Sequence, residues 1–285
     1  VIAHKRILFS TICGPIILFC VLGTSSLPAQ PAKARKVIAF FTGRADLAHI
    51  SFVRQANEWF PKELGKHNIR YDTTSNWDHL NETFLAEYDL VLFLDTRAEK
   101  AAHRQAFETY IKQGGAWVGF HFSGFALTPS DFNQDWDWYH NEFLGSGQFV
   151  SNTWRPTSAM LRVEDPKHPA LLHLPAIFKS APSEWYRWQY DLRKNPAIQI
   201  LLSIDPSSFP LGTGPKREEI WHEGYYPVAW TNHNYRMVYV NMGHNDMDYE
   251  NGTNRELSNS FDSELQNQFL INALKWLMES RPKRK

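Results

Sequence analysis

Gly114-Gly115-Ala116-Trp117-Val118-Gly119-Phe120-His121-Phe122-Ser123-Gly124 is the stretch on which the fold turns. The Gly-Gly pair breaks a helical pattern. The residues after it are apolar at nearly every position, as in a strand covered on both faces. An imidazole then follows where a buried strand needs none. Ligands of open α/β sheets sit beyond the carboxyl ends of the strands, so His121 stands where such an architecture puts its chemistry. Gly119 and Gly124 clear backbone space around it.

Working outward, Lys36–Thr42 and Asp89–Asp95 have the same apolar character and read as strands, with Ile69–Asp72 as a shorter one. Gly43–His49 reads as the loop after the first strand. Helical spacing of Phe52, Ala56, Trp59 and Phe60 predicts a helix over 51–64, and similar patterns predict helices over 81–87 and 98–113. Strands and helices alternate, which predicts the α/β class with right-handed βαβ units in one parallel sheet. Beyond Ser123 the expected elements are an aromatic helix over 135–145 and strands at 159–163 and 198–204. Residues 184–188 read as a strand or loop edge. A hairpin of 226–231 with 236–241 and a last helix over 261–278 complete the chain. Residues 31–285 are expected to form a single domain.

Lys and Arg number 30 and so do Asp and Glu, which gives no electrostatic case for nucleic acid as a partner. His4-Lys5-Arg6, an apolar run from Ile7 to Leu22 and a small-residue exit near Ala29 have the layout of a secretory signal over residues 1–30. The expectation is an exported protein, periplasmic or extracellular, with no stable membrane span after cleavage. Both cysteines, Cys13 and Cys20, lie in that segment, so the mature chain would have no thiolate nucleophile.

Three imidazoles follow predicted strands: His49, His121 and His244. Their loops face one rim of the sheet, so they can converge, although a hydrogen-bonded loop residue is the favoured explanation for His49. Glu184 lies among Trp185, Tyr186 and Trp188, where desolvation would raise its pKa and suit general acid work. Such a set shuttles protons with no cofactor required. Alternatively, His49, His121 and His244 would hold a divalent metal such as zinc. Trp138, Tyr139 and Tyr186 are candidates to stack on a substrate, though helix packing is the plainer role for Trp138 and Tyr139. Glycosidases need two carboxylates flanking the bond. Only Glu184 stands out, with Asp46 a distant second, so acid–base chemistry beside a keto group fits better.

The same stretch, together with Trp138-Tyr139, Leu144-Gly145, His168-Pro169, Glu184-Trp185-Tyr186, Pro227–Thr231 and Arg236–Tyr239 through Gly243-His244, resembles the trehalose-utilisation (ThuA-like) family. The resemblance implies the class I glutamine amidotransferase-like superfamily and its three-layer αβα sandwich, a flavodoxin-like, mostly parallel sheet. It also implies carbohydrate utilisation, including the handling of 3-keto disaccharides. The amidotransferase relatives carry Cys at the elbow where this chain has His121, which excludes glutaminase chemistry. Ser183 replaces the usual Asp before the glutamate, and Asn234-Tyr235 replace glycines before Arg236. The expected function is that of an exported enzyme, a hydrolase or lyase of keto-disaccharides or glycosides. Its catalytic residues would be His121, Glu184 and His244, and its substrate contacts His49, Trp138, Tyr139 and Tyr186. The alternative is a non-catalytic carbohydrate-binding protein. A homo-oligomer is compatible with either.

Overall fold

Strands β1 (Arg35–Phe40), β2 (Ile69–Thr74), β3 (Leu90–Phe93) and β4 (Ala116–Phe120) explain the apolar runs, because the sheet they build is covered on both faces. Val37, Ala39, Leu90, Leu92, Ala116 and Val118 face a core shared with helices α1 (Leu47–Gly65) and α4 (Glu264–Glu279). Ile38, Phe40, Val91, Phe93 and Trp117 face the opposite core, shared with helix α3 (Ala101–Lys112); Leu85 of the short α2 (Glu82–Leu85) joins it.

The later strands are β5 (Phe149–Asn152), β6 (Met160–Val163), β7 (Ile177–Lys179), β8 (Tyr186–Trp188), β9 (Ile198–Ile204), β10 (Tyr226–Asn232) and β11 (Tyr235–Val240). Nine strands form one sheet in the order β2-β1-β3-β4-β11-β10-β9-β6-β7, and β5 pairs with β8 in a separate two-stranded layer. Pairing is parallel from β2 to β11 and antiparallel from β11 to β7.

This large mixed sheet corrects the expectation of a mostly parallel, flavodoxin-like one. Parallel neighbours need a crossover of about a dozen residues or more, usually a helix. The amino-terminal half supplies such crossovers. Two residues separate β10 from β11, and among the described residues no long helix falls between any two strands from β6 to β11.

The described residues are 1–2, 34–44, 46–127, 136–208, 221 and 223–279 of a computed structural model. Residues 34–285 make one compact unit, divided from residues 1–33. The signal-like segment, both cysteines and Asp135 lie outside the described residues. Among those described, no helix is long and apolar enough to cross a membrane.

Gly119 shows how tightly the end of β4 is packed. A Cβ there would lie 2.0 Å from the Trp117 ring and 2.5 Å from Ser123 Oγ. Trp117 is fully buried and cannot yield cheaply. Gly119→Ala is expected to cost about 1–3 kcal/mol, a fall in Tm of roughly 2–4 °C per kcal/mol. A thermal melt matching the parent would contradict this packing.

Candidate functional site

The register Val240↔Phe120 places the exits of β11 and β4 side by side, so Asn241 and His121 leave the sheet together. His121 is fully buried and holds φ at +39°, a backbone conformation rare outside glycine. Three contacts hold it there. Tyr239 Oη donates to its carbonyl at 2.7 Å, Asn241 Nδ2 lies 3.1 Å from its Nδ1, and the Tyr186 ring lies against it at 4.1 Å between centroids.

The Asn241 amide cannot turn over, because its Oδ1 accepts the Tyr186 backbone N–H at 2.6 Å. Its NH2 therefore donates to Nδ1, and in the neutral ring the proton sits on Nε2. That Nε2 faces Glu184 Oε2 at 3.5 Å.

Glu184 enters from the β5–β8 layer. Trp185 N–H donates to Thr153 Oγ1 at 2.8 Å and Asn152 Nδ2 donates to Glu184 Oε1, which leaves Oε2 turned toward the imidazoles. His244 Nε2 lies 3.9 Å from the same oxygen and 3.4 Å from Asp46 Oδ2. Gly243, at φ +130°, lets the chain turn here; a Cβ would stand 3.2 Å from that of His121. Asn245 ties the turn to α1 through Ser51 Oγ at 2.7 Å and Gln55 Oε1 at 2.8 Å.

His49 closes the group, with ring centroids 5.2 Å from His121 and 4.8 Å from His244. It belongs to the first turn of α1 rather than to the expected loop. The helix starts earlier because the Asp46 carboxylate caps it, accepting the Ala48 N–H at 2.6 Å. One ring nitrogen from each of His49, His121 and His244 lies within 4.8 Å of the other two, a buried cluster compatible with a metal ion.

The charges divide in a definite way. Burial pushes His121 down to about 4, against the opposing pull of Glu184. Burial also drives His49 well below the usual imidazole range, helped by its two imidazole neighbours. His244 goes the other way: burial opposes its charge, but Glu184 and Asp46 outweigh burial and raise its pKa. Burial would likewise raise Glu184, yet His244, His121 and Asn152 together lower it. This corrects the expectation that Glu184 is raised and serves as the acid. Its partners come from three distant parts of the chain, and they keep it ionised. Asp46 is also lowered, chiefly by His244 against its partial burial.

A stability consequence follows for His121. Its folded pKa of about 4 lies below the ordinary 6.5, so between these values the unfolded chain binds the extra proton. Stability from this group is complete above about pH 6.5 and lost as pH falls toward 4, by on the order of 3 kcal/mol. His49 acts in the same direction. Melting temperature is expected to drop over that window, and His121→Gln should flatten the drop. An equally steep fall in the variant would contradict the assignment.

His121, Glu184, His244, His49 and Tyr186 are thus brought together. Trp138 and Tyr139 are not. Trp138 stacks on Phe143, and Tyr139 stacks on Trp136 and donates to the Ser123 carbonyl at 2.9 Å; both belong to the core beside α3. Sequence reasoning missed Asn152 and Asn241 and gave Asp46 little weight, although an Asp before a helix start is a cap signal. It also passed over Trp154 and Tyr249, whose nearly parallel rings lie 6.4 Å apart, with Trp154 6.5 Å from His244. Asp46 is where the group meets solvent, its side chain 45% exposed.

Fold and site together define an α/β protein with a buried imidazole–carboxylate cluster at the carboxyl end of its parallel strands. The profile of the trehalose-utilisation (ThuA) family matches residues 37–277, and the chain belongs to that family. A ThuA-like protein from Bacteroides uniformis is 35% identical, with TM-score 0.74 over 88% of this chain and 95% of that one. A ThuA-like protein from Parabacteroides merdae is 17% identical, with TM-score 0.59 over 89% and 93%. A β-galactosidase from Bacillus circulans is similar in fold alone, 12% identical with TM-score 0.52, over 85% of this chain and 31% of that one. No curated protein matches.

Proposed function

We propose that this carbohydrate-associated protein is an enzyme that cleaves a keto-disaccharide or keto-glycoside by proton transfer. One observation carries the reading: a carboxylate kept ionised and an imidazole whose protonation it favours face each other at 3.9 Å, with a neutral N–H donor beside them. Environments that push paired groups apart assign the base and the acid. Glu184 Oε2 takes the proton from the carbon beside the keto group, and the electron pair moves onto the keto oxygen. His121 Nε2–H faces that oxygen. As the enolate collapses, the bond from the adjacent carbon to the glycosidic oxygen breaks, and the His244 imidazolium gives its proton to the leaving oxygen. An unsaturated keto sugar and a free sugar or alcohol result. Asp46, half in solvent and paired with His244, offers the route by which protons return.

A metal-assisted reaction is the second reading, favoured by the clustering of the three imidazoles. His49, His121 and His244 would hold the ion, which would polarise a substrate oxygen. For His121 to offer Nε2 it must carry its proton on Nδ1, where the Asn241 NH2 stands. That hydrogen bond is why proton transfer is preferred.

A screen of native and 3-keto disaccharides, with chelator and with added zinc, separates the readings. Keto substrates are expected to be cleaved and native ones spared, with turnover unchanged by chelator. Loss of turnover on chelation, restored by zinc, would support the metal reading. Calorimetric binding without product over long incubation would support a non-catalytic carbohydrate-binding protein. The layout of residues 1–30 leads us to propose export as well, which fractionation of the producing cells tests.

A further inference from the structure

A cavity opens on the same rim of the sheet, beyond the exits of β1 and β3, with a volume of about 240 Å³. Thr42, Arg44, Trp77, Thr96, Arg97 and Lys100 are among the residues lining it. Arg97 is the unusual one. It is 4% exposed, yet among the described residues its guanidinium has no carboxylate within ion-pair distance and no hydrogen bond, and its Nε is buried without a partner. The Phe122 ring lies beneath it, 5.9 Å from the guanidinium carbon to the ring centroid. A buried charge without a partner is costly, and a cation–π contact returns only part of that cost.

The amino terminus of α3 meets the same cavity. Lys100 is its N-cap residue and makes no side-chain cap hydrogen bond, so the first N–H groups of a twelve-residue helix are left without that partner. Helix N-termini favour anions through both their free N–H groups and the helix dipole. The acidic residues on the lining are otherwise engaged or outlying. Asp78 is taken up by Lys100 and His103, each at 2.9 Å, and Glu99 is exposed at the mouth, which Arg44 shares.

We infer that this cavity is an oxyanion site, in which the Arg97 guanidinium and the start of α3 receive a carboxylate or phosphate group. Drug-sized ligands occupy about 300–1,000 Å³. The smaller volume suits a free oxyanion or the acidic end of a sugar acid or sugar phosphate. Burial pushes Arg97 down to about 10, which leaves it charged at neutral pH and ready for such a partner. The site includes none of His49, His121 and His244 and is tested by binding, independently of any turnover.

Titration calorimetry of the full chain with inorganic phosphate, glucuronate and glucose 6-phosphate, with glucose as neutral control, tests it. Saturable binding of at least one anion and none of glucose is expected. Arg97→Gln should weaken that binding by about ten-fold or more, the weight of a charge-assisted contact. Phosphate binding as tightly as the two sugars would identify a free-anion site, and preference for glucuronate or glucose 6-phosphate an acidic-sugar site. Should Arg97→Gln not fold, Arg97→Lys keeps the charge without the planar fork and should still weaken binding. No anion binding, or binding that survives loss of Arg97 but disappears in His244→Gln, would overturn the proposal.

Discussion

Glu184→Gln is expected to reduce turnover of a keto-disaccharide by about 10²–10⁴-fold, the range of a lost general base, while the fold persists. The amide has nearly the shape of the carboxylate and can still accept from Asn152 through its oxygen. It cannot take a proton. It also removes one of the two charges that raise the His244 pKa, which should fall toward the ordinary imidazole value. Kinetics and imidazole NMR titration of the same protein therefore test the two roles of one carboxylate. Turnover within a few-fold of the parent would remove Glu184 from the reaction.

Asn241→Asp is the second large effect, and it acts through His121 rather than on substrate. The new carboxylate would still accept the Tyr186 N–H but would present an acceptor where Asn241 now presents a donor. The imidazole then carries its proton on Nδ1, or both nitrogens are protonated and its pKa rises from about 4. A wrong tautomer in a comparable hydrogen-bonded site costs up to about 10⁴-fold in rate. Turnover should fall by roughly 10²-fold or more, with Nδ1–H seen in nitrogen-15 shifts. Rapid turnover with Nδ1 protonated would show that the Nε2–H of His121 is dispensable.

The strands around His121 were legible because burial on both faces leaves a continuous apolar signature, and the hairpin of β10 and β11 because two residues separate it. Beyond that hairpin, the antiparallel pairing of β10 with β9, β9 with β6 and β6 with β7 was not read. The mostly parallel sheet was what the resemblance implied; the short connections among the described residues of the carboxyl half, with no long helix to carry a crossover, were the available signal against it. Three of the catalytic candidates were legible from position alone, since His121, Glu184 and His244 follow or adjoin predicted strands. The charge state of Glu184 was not. It depends on His121, 63 positions away, on His244, 60 positions away, and on Asn152, 32 positions away, and no local pattern reports such a meeting. Trp138 and Tyr139 misled for the opposite reason: aromatic residues on a short helix look alike whether they face a ligand or Phe107 and Phe143.

Proton removal beside a keto group is the step on which this reading depends, and deuterium reports it. A 3-keto disaccharide incubated with the enzyme in heavy water and followed by proton NMR should lose the signal of the carbon between keto group and glycosidic bond, with free sugar appearing alongside. Glu184→Gln should leave that signal intact. Cleavage that keeps the proton in place, or the same loss in the variant as in the parent, would contradict the mechanism.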